Sequence, residues 1–225
     1  MVPEMGWCKV PPSTMQAQNS PPPAGTLADT RCRILDAAFA VFMEHGYAGT
    51  STLAIATRAR VSKRSLYQGF GNKAGLLAAL IAERTAGMVA LADMPPPRSR
   101  EALAAALRAF GAGVLSRVTL PTTLAIFRLA IQEAERAPEL ARVLDRHGRQ
   151  PVQDAAQSIL RGAAGAGIVR HDVLPAMTGV FFGVLQHEVI MSLLLGLRTP
   201  PDENEIARLA DAAARAAMAL SQPEA

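Results

Sequence analysis

"RVSKRSLYQGFGNK", residues 60–73, sets four cations, a tyrosine, a phenylalanine and two glycines in one polar stretch of a chain otherwise rich in alanine and leucine. Ser62 reads as the cap of a short helix running through Tyr67, with Gly69 and Gly71 ending it. Lys63 and Arg64 then fall in the first turn, where the positive end of the helix dipole disfavours a cation by roughly 0.3–1 kcal/mol. An approaching anion reverses that sign. It meets free amides, two cations and the hydroxyls of Ser62 and Ser65 at one helix tip. Lys73, beside the capping residue Asn72 at the next helix start, carries the same misplaced charge.

Upstream, Ile34, Leu35, Ala38, Phe39, Val41 and Phe42 recur at three- and four-residue spacing, which predicts an amphipathic first helix. Gly46 is placed to stop it in a left-handed cap. Ser51 or Thr52 opens a short second helix bearing Leu53, Ile55, Ala56 and Ala59, and Arg60 and Val61 turn the chain into the helix of the opening stretch. Two short helices joined by a tight turn and braced by a first helix form a helix-turn-helix, whose second helix enters the DNA major groove. Val61, Leu66 and Phe70 are the expected packing residues. A long fourth helix reaches about Met94, where Pro95, Pro96 and Pro97 forbid continuation. The same signals predict helices over about 99–117, 121–137, 138–148, 150–165, 172–196 and 202–220.

The 225 residues are 50% hydrophobic but only 4% aromatic, and alanine-rich stretches of this kind favour helix over sheet. An all-α protein is expected. Residues 29–73 hold seven basic against three acidic side chains, whereas residues 101–225 hold 12 against 13. The excess positive charge therefore belongs to the N-terminal third, whose natural partner is a polyanion. Residues 1–26 carry six prolines and no apolar run behind a basic prefix, so they read as a disordered tail and not as a signal peptide. Ala176–Leu197 is interrupted by Gln186, His187 and Glu188 and reads as a buried helix and not a membrane span. A cytoplasmic protein is the resulting expectation. Cys8 and Cys32 do not make a disulfide scaffold and read as inert thiols.

Residues 33–80, "RILDAAFAVFMEHGYAGTSTLAIATRARVSKRSLYQGFGNKAGLLAAL", resemble the DNA-binding domain of the TetR family of transcriptional regulators. The resemblance is carried by the ILDAA…F…GY…T opening, the IA…A.VS turn and the S..LY..F..K close. It implies homodimers that bind palindromic operators on double-stranded DNA as repressors and release them when a small molecule binds the C-terminal domain. By position, Ser51, Thr52, Tyr67 through its hydroxyl, and Lys73 match phosphate-contacting residues of the family. Ser62 caps the recognition helix, and Lys63, Arg64, Ser65 and Gln68 lie on the face where Lys or Arg reads guanine and Gln reads adenine. Two departures stand out. Arg60 occupies a turn position often held by glycine, at a cost of ~1–2 kcal/mol if left-handed, and offers a further phosphate contact; Gly69 stands where an aromatic residue or histidine is usual.

Downstream, "FRLAIQEAERAPELARVLDRHG", residues 127–148, is similar to the AefR-like C-terminal domain found in part of the family. The resemblance implies three regions: the tail over 1–26, a helix-turn-helix domain over 27–74, and a helical effector-binding and dimerisation domain over 75–225, joined through the long fourth helix. A small hydrophobic effector would lie among the middle helices, lined by Phe110, Phe127, Met177, Phe181 and Gln186, although each also fits ordinary core. The last two helices would pair with a twin subunit through Val184, Ile190, Met191 and Leu194, with Phe181 and Leu185 shared between core and interface. "HEVIM", residues 187–191, lacks the second histidine of the zinc-protease signature. The sequence carries no phosphate-binding loop, nucleophile elbow or paired cysteines, so neither enzyme activity nor a metal or other cofactor is expected.

Overall fold

A computed structural model describes residues 27–221. The expectations for the tail and for Cys8 lie outside the described residues. Cys32, read as an inert thiol, is not a free thiol.

The chain divides into two units: residues through Leu80 with Gln132–Val143, and Ile81–Ile131 with the residues from Leu144 onward. In the first unit, α1 (Leu27–Gly49) buries the predicted stripe of Ile34, Leu35, Ala38, Phe39, Val41 and Phe42. Gly46 interrupts it at φ 70, ψ 169. That conformation lies outside the left-handed helical well expected for a cap, in a region essentially restricted to glycine. One further turn follows, and it buries Tyr47 against Phe42 with ring centroids 5.5 Å apart.

Next, α2 (Thr52–Ala59) opens on Ser51, whose hydroxyl accepts from the Ala54 amide at 3.1 Å. It closes on Arg60, which lies in the left-handed region at φ 54, ψ 46. The Arg60 amide donates to Thr57 O and the Val61 amide to Ala56 O. This two-bond closure satisfies the helix-end carbonyls as in a glycine-capped Schellman turn. Then α3 (Lys63–Phe70) opens on Ser62 and runs through Gly69; Gly71, at φ 74, is the residue that ends it. Leu66 is fully buried, while Val61 and Phe70 are half-buried.

The following helix, α4 (Lys73–Val89), has its first turn capped by Asn72, whose Oδ1 accepts from the Gly75 amide at 2.8 Å. By length and apolarity alone Lys73–Ala92 would suffice to cross a bilayer. Five of its large apolar side chains are buried in protein, Leu76, Leu77 and Leu80 in the first unit and Ile81 and Met88 in the second.

The second unit is built on α5 (Arg100–Val118), α6 (Pro121–Gln132), α8 (Gln150–Gly165), α9 (Leu174–Leu194) and α10 (Glu203–Ala219). Between α6 and α8 lie α7 (Pro138–Leu144) and a π-helical turn at Asp145–Arg149. The helix expected over 121–137 stops at Gln132, where Arg136 and Ala137 both donate to Glu133 O. Pro138 keeps Ala137 out of helical geometry, so the chain does not run on as one helix into α7.

The core is an α5–α8–α9–α10 bundle centred on Leu107, Phe110, Leu160, Met177, Phe181 and Leu185. Small residues let its helices approach closely. Ala210, Ala213, Ala214 and Ala217 of α10 are buried, and a Cβ on Gly111 of α5 would sit 3.3 Å from Ala210 Cβ.

Candidate nucleic-acid interface

The opening motif folds so that most of its polar residues stay on the surface. Ser62 Oγ accepts from the Ser65 amide at 3.0 Å and lies 2.8 Å from Ser65 Oγ. The tip of α3 therefore presents two coupled hydroxyls beside its free amides. Lys63, Arg64, Ser65 and Gln68 are all exposed. Among the described residues, no carboxylate pairs with Arg60, Lys63 or Arg64, whereas Arg58, one turn away, is held by Glu44 at 2.6 Å. Lys63 Nζ instead lies 5.6 Å from the centre of the Tyr67 ring. That contact orders the cation without neutralising it.

Tyr67 stays at the surface. It is 43% exposed, and its hydroxyl lies 3.2 Å from Thr52 Oγ1. The pair joins α3 to the start of α2, beside exposed Ser51. Ser51, Thr52, Ser62, Lys63, Arg64, Ser65, Tyr67 and Gln68 thus belong to the two helix starts and the face of α3. Gly69, also exposed, has open space where a side chain would stand.

Lys73 departs from expectation. Its ammonium donates to Tyr47 O at 2.6 Å and Ala48 O at 3.3 Å, and lies 4.4 Å from the centre of the Tyr47 ring. It is therefore not the uncommitted cation that its place at a helix start suggested. The carbonyls that close α1 offer it negative partial charge, which outweighs the unfavourable dipole of its own helix. Burial first, and the Glu139 carboxylate second, push the Tyr47 phenol above its ordinary pKa.

Two features of this unit had no signal in the sequence. Glu133 is 9% exposed, and its Oε1 accepts from the Ala48 amide at 3.3 Å, while Oε2 is buried without a hydrogen bond. Ala137 and Leu140, from the same Gln132–Val143 segment, are also buried in this unit. Nothing local marks this segment as part of the N-terminal unit, because its partners lie some 85 residues away.

Arg60 supplies a direct test of turn geometry. Its left-handed backbone should cost ~1–2 kcal/mol relative to glycine. Arg60→Gly is therefore expected to stabilise the fold by about 1 kcal/mol in denaturant unfolding, after allowing for the greater entropy of unfolded glycine. It should also weaken DNA binding and lower its salt slope by about one if the guanidinium meets a phosphate.

The second unit contains a cavity of about 230 Å³, with Met88, Ile126, Phe127, Val152, Phe182 and Gln186 in its wall. Of the expected lining residues, Phe127 and Gln186 face it. Phe110, Met177 and Phe181 do not: they are at most 1% exposed and fill the neighbouring core, with Phe110 and Phe181 rings 6.2 Å apart. Arg84, Thr85, Arg149 and Gln153 also line the cavity and escaped the sequence reading. No pattern set them apart: Arg84 stands in α4 between Glu83 and Thr85, a polar run of the kind that usually marks a solvated face.

On α9, Val184 and Met191 are 43% and 54% exposed. Gly179 and Gly183 share this open side, and an added Cβ on either would meet nothing within 4 Å. Ile190 does not belong there, since it lines the cavity, and Leu194 is half-buried against Leu124, Val189 and Leu193. Among the described residues no three His, Cys, Asp or Glu side chains converge to hold a metal.

Comparison with known proteins gives a consistent picture. Residues 34–80 match the family model of bacterial regulatory proteins, tetR family, and residues 105–220 match that of the AefR-like transcriptional repressor, C-terminal domain. An uncharacterized HTH-type transcriptional regulator of Bacillus subtilis (strain 168), YvkB, is 41% identical over 56 residues. That match spans 25% of this chain and 30% of the relative. Among solved structures, the flavonoid-responsive regulator FrrA is 28% identical with a TM-score of 0.70, over 88% of this chain and 100% of that one. A TetR transcriptional regulator from Agrobacterium tumefaciens is 27% identical with a TM-score of 0.69, over 87% and 95% of the two chains.

Proposed function

This chain belongs to the TetR family of DNA-binding transcriptional regulators, with an AefR-like C-terminal domain, and from that premise we propose that it is a homodimeric repressor of a palindromic operator, released by a small apolar ligand. The observation that carries the reading is the tip of α3. Lys63 and Arg64 stand exposed over free helix-start amides, with no carboxylate partner among the described residues. An uncompensated cation pair at a positive helix end is locally unfavourable and becomes favourable when a phosphate backbone arrives. Ser51, Thr52, Tyr67 and Arg60 extend the phosphate-binding surface, while Arg64, Ser65 and Gln68 face the base edges. Lys73 contributes by fixing the end of α1 through Tyr47 O and Ala48 O.

One α3 covers a half-site, so two copies must be spaced about one groove repeat, or a multiple of it, apart. The open side of α9, with Gly179, Gly183, Val184 and Met191, supplies the apolar surface for that pairing. The cavity supplies the effector site, and the flavonoid-responsive character of FrrA supports an apolar aromatic ligand.

The test is titration of the protein against its own promoter DNA at several salt concentrations. A specific site should be preferred over random DNA by roughly 10³ or more; sequence-indifferent binding would remove the repressor reading. In the same assay, a Val184→Glu, Met191→Glu double variant should sediment as a monomer and lose most operator affinity. A variant that remains a dimer would place the pairing surface elsewhere.

A further inference from the structure

Glu133 meets the helix-turn-helix unit at the seam where α1 ends and α2 and α4 begin. Its Oε1 accepts from the Ala48 amide at 3.3 Å, while Ala48 O accepts from Lys73 Nζ at 3.3 Å. Lys73 opens α4, and Ser51, three residues after Ala48, caps α2. Ala48 is thus held through its N–H by Glu133 and through its carbonyl by Lys73. Between them, Thr50 donates its hydroxyl to Gly46 O at 2.7 Å.

The Glu133 contact is made on unfavourable terms. Its length is beyond the usual range for an N–H donor to oxygen. Its second oxygen, Oε2, is buried without a hydrogen bond, so opening to water would recover a desolvation loss that the closed form carries. The approach also requires glycine at position 46, at φ 70, ψ 169, because a Cβ there would stand 2.6 Å from Oε1. A contact so nearly balanced changes state under a small bias.

The source of the bias is written in the chain order. Helix α6 contributes Thr123, Ile126 and Phe127 to the cavity wall and ends at Gln132, immediately before Glu133. The amides of Arg136 and Ala137 then close a turn on Glu133 O. The segment runs to Val143, and the next residue, Leu144, is again in the wall. After it comes the π-helical turn Asp145–Arg149, a strained element of the kind that collects at functional sites. No linker separates α6 from Glu133, so a shift of α6 carries the carboxyl group off the Ala48 amide.

We propose that Glu133 is a positioning residue for DNA binding: its bond to the Ala48 amide is a releasable latch that holds the α1–α2–α4 seam in its operator-binding form, and occupation of the cavity opens it through α6. This rests on the reading of the cavity as the effector site. A side chain grown into the cavity stands in for the ligand. A dry cavity of about 150 Å³ accepts benzene, so one of about 230 Å³ has room for a phenyl ring grown from its wall. Val152→Phe and, as a second filler on another helix, Val118→Phe are each combined with Glu133→Ala in the full-length chain. Affinity for the specific promoter site and hydrogen exchange of the Ala48 amide are measured well below the melting midpoint.

Glu133→Ala is expected to weaken operator binding by roughly tenfold, the size of one hydrogen bond lost from the binding form. Glu133→Gln, which keeps an acceptor oxygen, should restore affinity to within about twofold of wild type. Each filler should weaken binding in the wild-type background and accelerate exchange at Ala48 but not at Leu76 within α4. In the Glu133→Ala background the filler should have little further effect on affinity, a loss of additivity that a merely structural role would not produce. Equal filler effects in both backgrounds, with unchanged Ala48 exchange, would overturn the latch and leave the effector site standing. Fillers that leave operator affinity unaltered would overturn both. Wild-type affinity in Glu133→Ala would overturn the role of Glu133.

Discussion

Replacing Lys63 and Arg64 together with alanine is expected to lower operator affinity by roughly 10²–10³-fold, at about 1–3 kcal/mol for each base-reading or charge-assisted contact. The thermal midpoint should hold steady or rise slightly, because both side chains are exposed and both oppose the dipole of α3. The salt dependence adds detail. Each cation that meets a phosphate contributes about 0.9 to the slope of log affinity against log salt. A loss of one unit with relaxed sequence preference would mean that one cation reads a base and the other the backbone. A loss of two with unchanged preference would assign both to phosphates. Wild-type affinity in the double variant would remove the α3 tip from the interface.

The second large effect concerns stability. Gly46→Ala is expected to cost about 2–3 kcal/mol, since its backbone at φ 70, ψ 169 is essentially closed to side-chain-bearing residues. Sterics add to this, because a Cβ there would stand 2.6 Å from Glu133 Oε1. Either Glu133 swings away, leaving the Ala48 amide without its acceptor, or the turn after Gly46 shifts. For a chain of this size the loss corresponds to a fall in melting temperature of roughly 5–10 °C. An unchanged midpoint would mean that the break in α1 is not held as described. Gly71→Ala offers an internal comparison: its φ is also positive, but nothing lies within 4 Å of an added Cβ. It should cost only the backbone portion, about 1–2 kcal/mol.

Local features were legible in the sequence because their causes are local. Ser51, Ser62 and Asn72 each cap the helix that follows, as their residue types and positions foretell. Arg60 stood out because the family resemblance places it where glycine is often found, and its φ of 54 is left-handed. Periodicity could not separate core from cavity wall. Phe110, Met177 and Phe181 lie on apolar helix faces just as Phe127 does, and only the arrangement of neighbouring helices leaves space before one and none before the others.

Lys73 illustrates a different limit. Its place at a helix start signals an anion, yet the negative partner it found is a pair of backbone carbonyls 25 and 26 residues earlier. Backbone groups have no residue-type signature, so a sequence reading counts side-chain charges and misses them. Ile190 and Leu194 show the converse. Both sit on α9 with Val184 and Met191, but the rotation of a helix about its axis is set by its neighbours, and that rotation turned Ile190 inward.

The segment Gln132–Val143 folds with the N-terminal unit although the chain on either side of it does not. For protein engineering this means that the helix-turn-helix unit is not a detachable cassette. A fragment cut after Leu80 would forfeit Leu140, Ala137 and the Glu133 acceptor, three supports encoded far downstream. Chimaeras that exchange heads between relatives must transplant two separate stretches of gene to keep one folded piece whole.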